Sequence, residues 1–146
     1  MRHISDYIPH RGKMMLINEL VHADEKQAIS SVTIGADDLF ATKKGVPAFV
    51  GIEYIAQTVA AYSCAKDGNV GLPKVGLLLG SRRYQSEIDF FPLGVTLTIT
   101  VNPLYLDDGA LGVFSGNIMI KDKNVVSATL NVFQPDDIIN HFTMTK

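Results

Sequence analysis

The sequence is poor in the residues that usually announce a chemistry. It holds one cysteine, Cys64, so no disulfide can close within the chain, and its place inside an apolar helical run makes it a small core residue rather than a catalytic thiol. Histidines, cysteines and carboxylates show no metal-ligand spacing, no glycine-rich loop is built to cradle phosphate, and no Ser/His/Asp arrangement can be defended. Neither a metal nor a cofactor is expected. Charge of one sign is also missing. Thirteen Lys and Arg against fifteen Asp and Glu leave a net charge of -2 with no long basic cluster, which argues against nucleic acid as a main partner. The opening MRHISDYIPHRGK lacks the apolar stretch of a secretory signal, which points to a cytoplasmic protein. Repeats and low-complexity runs are absent, and 146 residues suit one globular domain, 1–146.

What is present is one long helical segment, Gly45 to Asp67, with a carboxylate in its interior. Pro47 suits a first-turn position, and Asp67-Gly68-Asn69 supplies a stop. Apolar residues cover nearly every direction round the axis, which predicts a central, buried helix. A membrane span is rejected, because Glu53 and Gln57 lie near the middle and no second apolar run occurs. Glu53 and Gln57, four apart, stack on one face as a short polar stripe. Such a stripe is either a site or a carboxylate and amide satisfied by structural partners.

Around the helix the pattern is β. Ile4 to Lys13 reads as a helical turn leading into a loop. Met14 to His22 and Ala28 to Ile34 read as a hairpin, and Gly35 to Gly45 as a loop beside the helix start. After the helix, Lys74 to Tyr84 begins as an apolar strand, with Gln85 to Phe90 continuing it past a bulge. Val95 to Val101 alternates strictly, with threonines on one face. A turn at Asp107-Asp108-Gly109, a strand over Val113 to Ile120, a turn at Lys121 to Asn124 and a last strand over Val125 to Phe133 follow, and Pro135-Asp136-Asp137 closes the sheet. The sum is α+β: a long central helix wrapped by five or six mostly antiparallel strands, whose edges invite continuation of the sheet across a dimer.

Three segments resemble the hotdog-fold β-hydroxyacyl-(acyl carrier protein) dehydratases of fatty-acid and polyketide synthesis. They are Pro9-His10-Arg11 followed by MMLIN, the helix motif PAFVGIEYIAQ, and the surroundings GLLLGSRRY and LNVFQPDD. The last two are similar to the ApeP-like branch associated with aryl polyene clusters. The resemblance implies 3-hydroxyacyl dehydration with Glu53 as the acid, His10 as the histidine of the opening motif, and Pro47, Ala48, Phe49 and Gln57 around the thioester. It also implies an acyl carrier protein with a phosphopantetheine-linked substrate, docked on Arg82 and Arg83, with Lys43 and Lys44 as weaker candidates. One departure stands out. Where the general family carries His-Phe-Pro-Gly, this chain reads Leu39-Phe40-Ala41-Thr42, and the helix-start glycine is Ala48. Three readings of the histidine stay open: His10 is the base, His10 only anchors the first strand, or a partner hotdog subunit supplies it in a homodimer or heteromer. His3, His22 and His141 read as solvated. Thioester hydrolysis and a silent acyl-binding subunit are the alternatives to dehydration.

Overall fold

The computed structural model describes residues 3–68, 70–71, 77–106 and 111–133, with only the backbone of 77–79. The expected turns at 107–109 and 135–137, residues 74–76 and His141 lie outside the described residues.

The chain forms β1 (Glu19–Ala23), β2 (Ala28–Thr33), β3 (Val46–Pro47), a 3-10 turn (Ala48–Val50), α1 (Gly51–Lys66), β4 (Leu77–Ser86), β5 (Phe90–Phe91), β6 (Thr96–Leu106), β7 (Leu111–Ile120) and β8 (Lys123–Phe133). Six strands make one sheet in the order β1-β2-β6-β7-β8-β4, every neighbouring pair antiparallel, and β3 pairs with β5 in a separate ribbon. This is the hotdog arrangement expected, one central helix against a mostly antiparallel sheet.

Alternation explains how the sheet takes the helix. Leu97, Ile99 and Val101 of β6, Phe114 and Ile118 of β7, and Ala128 and Leu130 of β8 turn inward and are buried. They meet Tyr54, Ile55, Val59 and Tyr62 of α1, and Tyr62 sets its ring edge-on to Phe114 at 5.5 Å. Gly116 of β7 lets the helix come close, since a Cβ there would stand 2.4 Å from Ile55 Cγ2. Cys64 is buried in this packing, and burial, followed by the charges of Asp67 and Asp6, pushes its thiol up. Among the described residues no helix is long and apolar enough to cross a membrane.

Four expected boundaries are corrected. The helix does not begin at Gly45, because Val46–Pro47 pairs with Phe90–Phe91 and Pro47 is extended (φ -54°, ψ 140°), so α-helix starts only at Gly51. The first strand starts at Glu19 rather than Met14, since Leu16 and Ile17 give their N–H groups to Gln57 instead of to a strand. Phe90 does not prolong β4 but belongs to the ribbon with β3. The expected four-residue turn at Lys121 to Asn124 tightens to two residues, with Lys121 at φ 56°.

Candidate active site

Glu53 lies in the first turn of α1 and is half-buried, not enclosed as its apolar neighbours suggest. His10 stands in the loop between two 3-10 turns, Ile4–Asp6 and Gly12–Met14, and is also half-buried. The fold places both within one chain, close enough for the charge of Glu53 to be felt at the imidazole. Burial pushes the His10 pKa below its ordinary value. Glu53 opposes that shift, and the positive charge of Arg11 adds to it. The Nδ1 atom of His10 is shut off from solvent and makes no hydrogen bond among the described residues. A neutral imidazole with an uncommitted nitrogen is the form a proton acceptor needs.

Two side chains fix the His10 loop. Arg11 folds back so that Nη1 donates to the carbonyls of Ile8 (2.6 Å) and His10 (2.7 Å), and Nη2 donates to that of Ser5 (3.0 Å). From the helix, buried Gln57 accepts at Oε1 from Leu16 N (2.9 Å) and Ile17 N (3.3 Å), while Nε2 donates to Met14 O (2.7 Å). Its amide is therefore committed to the main chain of the opening segment rather than to a thioester. Of the two readings of that polar stripe, the structural one describes Gln57.

At the helix start the expected backbone donor moves by one residue. The N–H of Ala48 donates to Asp89 O at 2.9 Å, so it is not available to a ligand. A 3-10 turn leaves its first two N–H groups without an acceptor inside it. The second is that of Phe49, which finds no other acceptor among the described residues and whose side chain is 69% exposed. Pro47 precedes it in β3 and is half-buried. On the carbonyl side of the same turn, Ala48 O accepts from the Gly51 N–H and also from the hydroxyl of Tyr84. Gly51 makes room for that hydroxyl, since a Cβ there would lie 2.2 Å from Tyr84 Oη. Burial pushes the Tyr84 phenol up to about 12, which keeps it a donor.

Arg82 and Arg83 are exposed on β4, an edge of the sheet, with Arg83 Nη2 bonded to Gln85 Oε1 at 2.6 Å. Lys43 and Lys44 are exposed in the loop before β3, and Lys44 Nζ sits 5.7 Å over the Phe90 ring. Leu39 and Phe40 in the same loop line a cavity of about 110 Å³ with Lys13, Asp38 and Tyr54. His3 and His22 are exposed, and His22 pairs with Asp24 at 2.8 Å. Among the described residues no group of His, Cys, Asp and Glu could hold a metal. Sequence reasoning missed Tyr84 and Arg11. The only local signal for Tyr84 was a glycine inside the helical run, and for Arg11 its place in the Pro-His-Arg triplet.

The profile of the ApeP-like family, described as ApeP dehydratase, matches residues 2–143. No curated protein sequence matches the chain. Among solved structures, the dehydratase heterocomplex ApeI:P from Xenorhabdus doucetiae is similar, with TM-score 0.86, 24% identity, and coverage of 100% of this chain and 99% of that one. A hypothetical thioesterase with coenzyme A from Streptococcus pneumoniae (TM-score 0.61, 14% identity, 80% and 84% coverage) has a related fold. So does a sigma28-regulated virulence protein from Campylobacter jejuni (0.64, 13%, 92% and 96%). At these identities the structural likenesses speak to the fold.

Proposed function

The chain belongs to the ApeP-like dehydratase family, and from that premise we propose that it removes water from a 3-hydroxyacyl thioester on an acyl carrier protein in aryl polyene synthesis. The observation that carries this reading is that the fold sets His10 and Glu53 of one protomer within electrostatic range of each other. In the proposed reaction His10 takes the proton α to the carbonyl and the new double bond forms toward the β carbon. The reacting form is the one in which Glu53 carries a proton, and the C–O bond breaks as Glu53 delivers it to the hydroxyl, which leaves as water. Negative charge that builds on the thioester oxygen is received by the Phe49 N–H. The proton taken by His10 is then returned to Glu53 across the gap between them.

A second hotdog subunit belongs to this reading. Leu39 occupies the place where the general family carries its histidine, the similar structure from Xenorhabdus is a heterocomplex, and β4 is a sheet edge on which a partner would continue the strands. Enoyl product from a hydroxyacyl-carrier substrate, measured for this chain alone and with its partner, tests both statements. Glu53→Gln should lower water loss about 100-fold or more, the usual weight of a general acid. Full activity in that variant overturns the assignment of the acid. Free thiol without enoyl product would mean hydrolysis instead, and silence alone with a faster partner would mean an accessory subunit.

A further inference from the structure

The hydrogen bond from Tyr84 to Ala48 has a consequence on the other side of the peptide. A trans peptide is planar, with its C=O and N–H pointing in opposite directions, so fixing the Ala48 carbonyl also aims the N–H of Phe49. The Gly51 N–H already donates to that carbonyl within the turn, and Tyr84 adds a second hydrogen bond from the sheet side, through the gap left by Gly51. The N–H on the far side of the peptide belongs to Phe49, an exposed residue. Accepting a hydrogen bond at the oxygen also polarises the amide and strengthens its N–H as a donor.

We propose that Tyr84 is a positioning residue for the thioester carbonyl, acting through the Ala48–Phe49 peptide. This rests on the dehydratase reading above, in which the Phe49 N–H receives the carbonyl oxygen. Three features of the site agree. The Ala48 N–H is tied to Asp89 O at 2.9 Å, so the turn is pinned on both flanks of the donor peptide. The phenol is half-buried, and that burial keeps it protonated. Position 51 admits no side chain while Tyr84 is in place, because Ile118 Cδ1 (3.0 Å) and Phe91 Cζ (3.1 Å) close the remaining space round a Cβ. Strand β4 thus carries Arg82 and Arg83 outward and, at the next residue, the hydroxyl that sets the turn.

The test uses Tyr84→Phe, which keeps the ring and removes only the hydroxyl. Gly51→Ala attacks the same bond from the other side. Each is assayed with the partner subunit if the chain is silent alone. A saturated acyl-pantetheine thioester, 13C-labelled at its carbonyl and unable to lose water, reports the hydrogen bond through its infrared carbonyl band. On wild-type protein the band should move to lower frequency. In Tyr84→Phe that displacement should fall by about half and kcat about tenfold, with KM within twofold, a smaller loss than removing a donor outright. Gly51→Ala should act in the same direction, and the double variant no worse than the weaker single one. Tyr62→Phe, whose hydroxyl donates to Glu25 O away from the turn, should leave both at wild-type values. A band that never moves on wild-type protein, or moves fully in Tyr84→Phe whatever happens to kcat, overturns the proposal. Free thiol without enoyl product overturns the dehydratase reading instead, and the band still decides the role of Tyr84.

Discussion

Gln57 holds Leu16: its Oε1 accepts the Leu16 N–H at 2.9 Å across 41 residues of sequence. The same amide takes the Ile17 N–H and gives a proton to Met14 O, so one side chain replaces the strand neighbour that this apolar run lacks. Gln57→Leu would strand one buried donor, one part-buried donor and a part-buried acceptor, and each such group costs about 1 kcal/mol or more when water cannot reach it. The expected result is a loss of about 2 to 4 kcal/mol in urea unfolding, with activity lost in step as the His10 loop lets go. Gln57→Glu can still accept both N–H groups but turns a carboxylate oxygen toward the Met14 carbonyl, so it should recover only part of that stability.

The depressed pKa of His10 sets a sign for pH dependence. Folding favours the neutral imidazole, so above the ordinary histidine value near 6.5 the folded and unfolded states carry the same charge and His10 costs nothing. Between that value and the lower folded one, the unfolded state binds more protons, and stability falls as the pH drops through this window. His10→Asn should flatten the decline in denaturation curves measured below pH 6.5. In Glu53→Gln the charge that holds the pKa up is removed, so the His10 resonance should titrate lower still by NMR. An unmoved titration would mean that the two side chains do not meet in solution.

Much of this was legible in the sequence, and the failures have physical causes. Strict alternation in Val95 to Val101 marked the sheet, and the motif round Glu53 marked a candidate acid. Pro47 misled the reading of the helix start, because a proline that suits a first helical turn also suits an extended residue before one, and pairing with Phe90 decides between them. Met14 to Ile17 reads as β by composition, and only a glutamine forty residues away shows where its N–H groups go. The meeting of His10 with Glu53 is likewise a product of tertiary packing that no local pattern encodes. Side-chain identity singled out Glu53 as the candidate acid, whereas the Tyr84 link depends on a glycine whose reason appears only when the two elements are in contact.

The closeness of β7 to the helix makes Gly116 intolerant. Ile55 is fully buried, so its Cγ2 atom, 2.4 Å from where a new Cβ would fall, cannot swing into solvent. Gly116→Ala should therefore cost about 1 to 3 kcal/mol as an overpacked core, seen as a lower urea midpoint with an unchanged slope. Because Ile55 lies two residues from Glu53 on the same helix, kcat should drop in native conditions as well. An unaltered midpoint would mean that the helix rides further from the sheet than the structure has it.

Arg82 and Arg83 give the last prediction, which separates docking from chemistry. Both are exposed on an edge strand, and an acidic carrier protein would meet them through water-accessible charge. Interactions of this kind are screened within about 10 Å at 0.1 M salt, so they act on encounter more than on the bound complex. Arg82→Glu with Arg83→Glu should raise KM for a carrier-linked substrate roughly tenfold, and added salt should narrow the difference. The same substrate on free pantetheine has no acidic protein to steer, so its kcat and KM should stay at wild-type values. Equal losses on both substrates would place the arginines in the partner interface or in the support of Tyr84, and not in carrier docking.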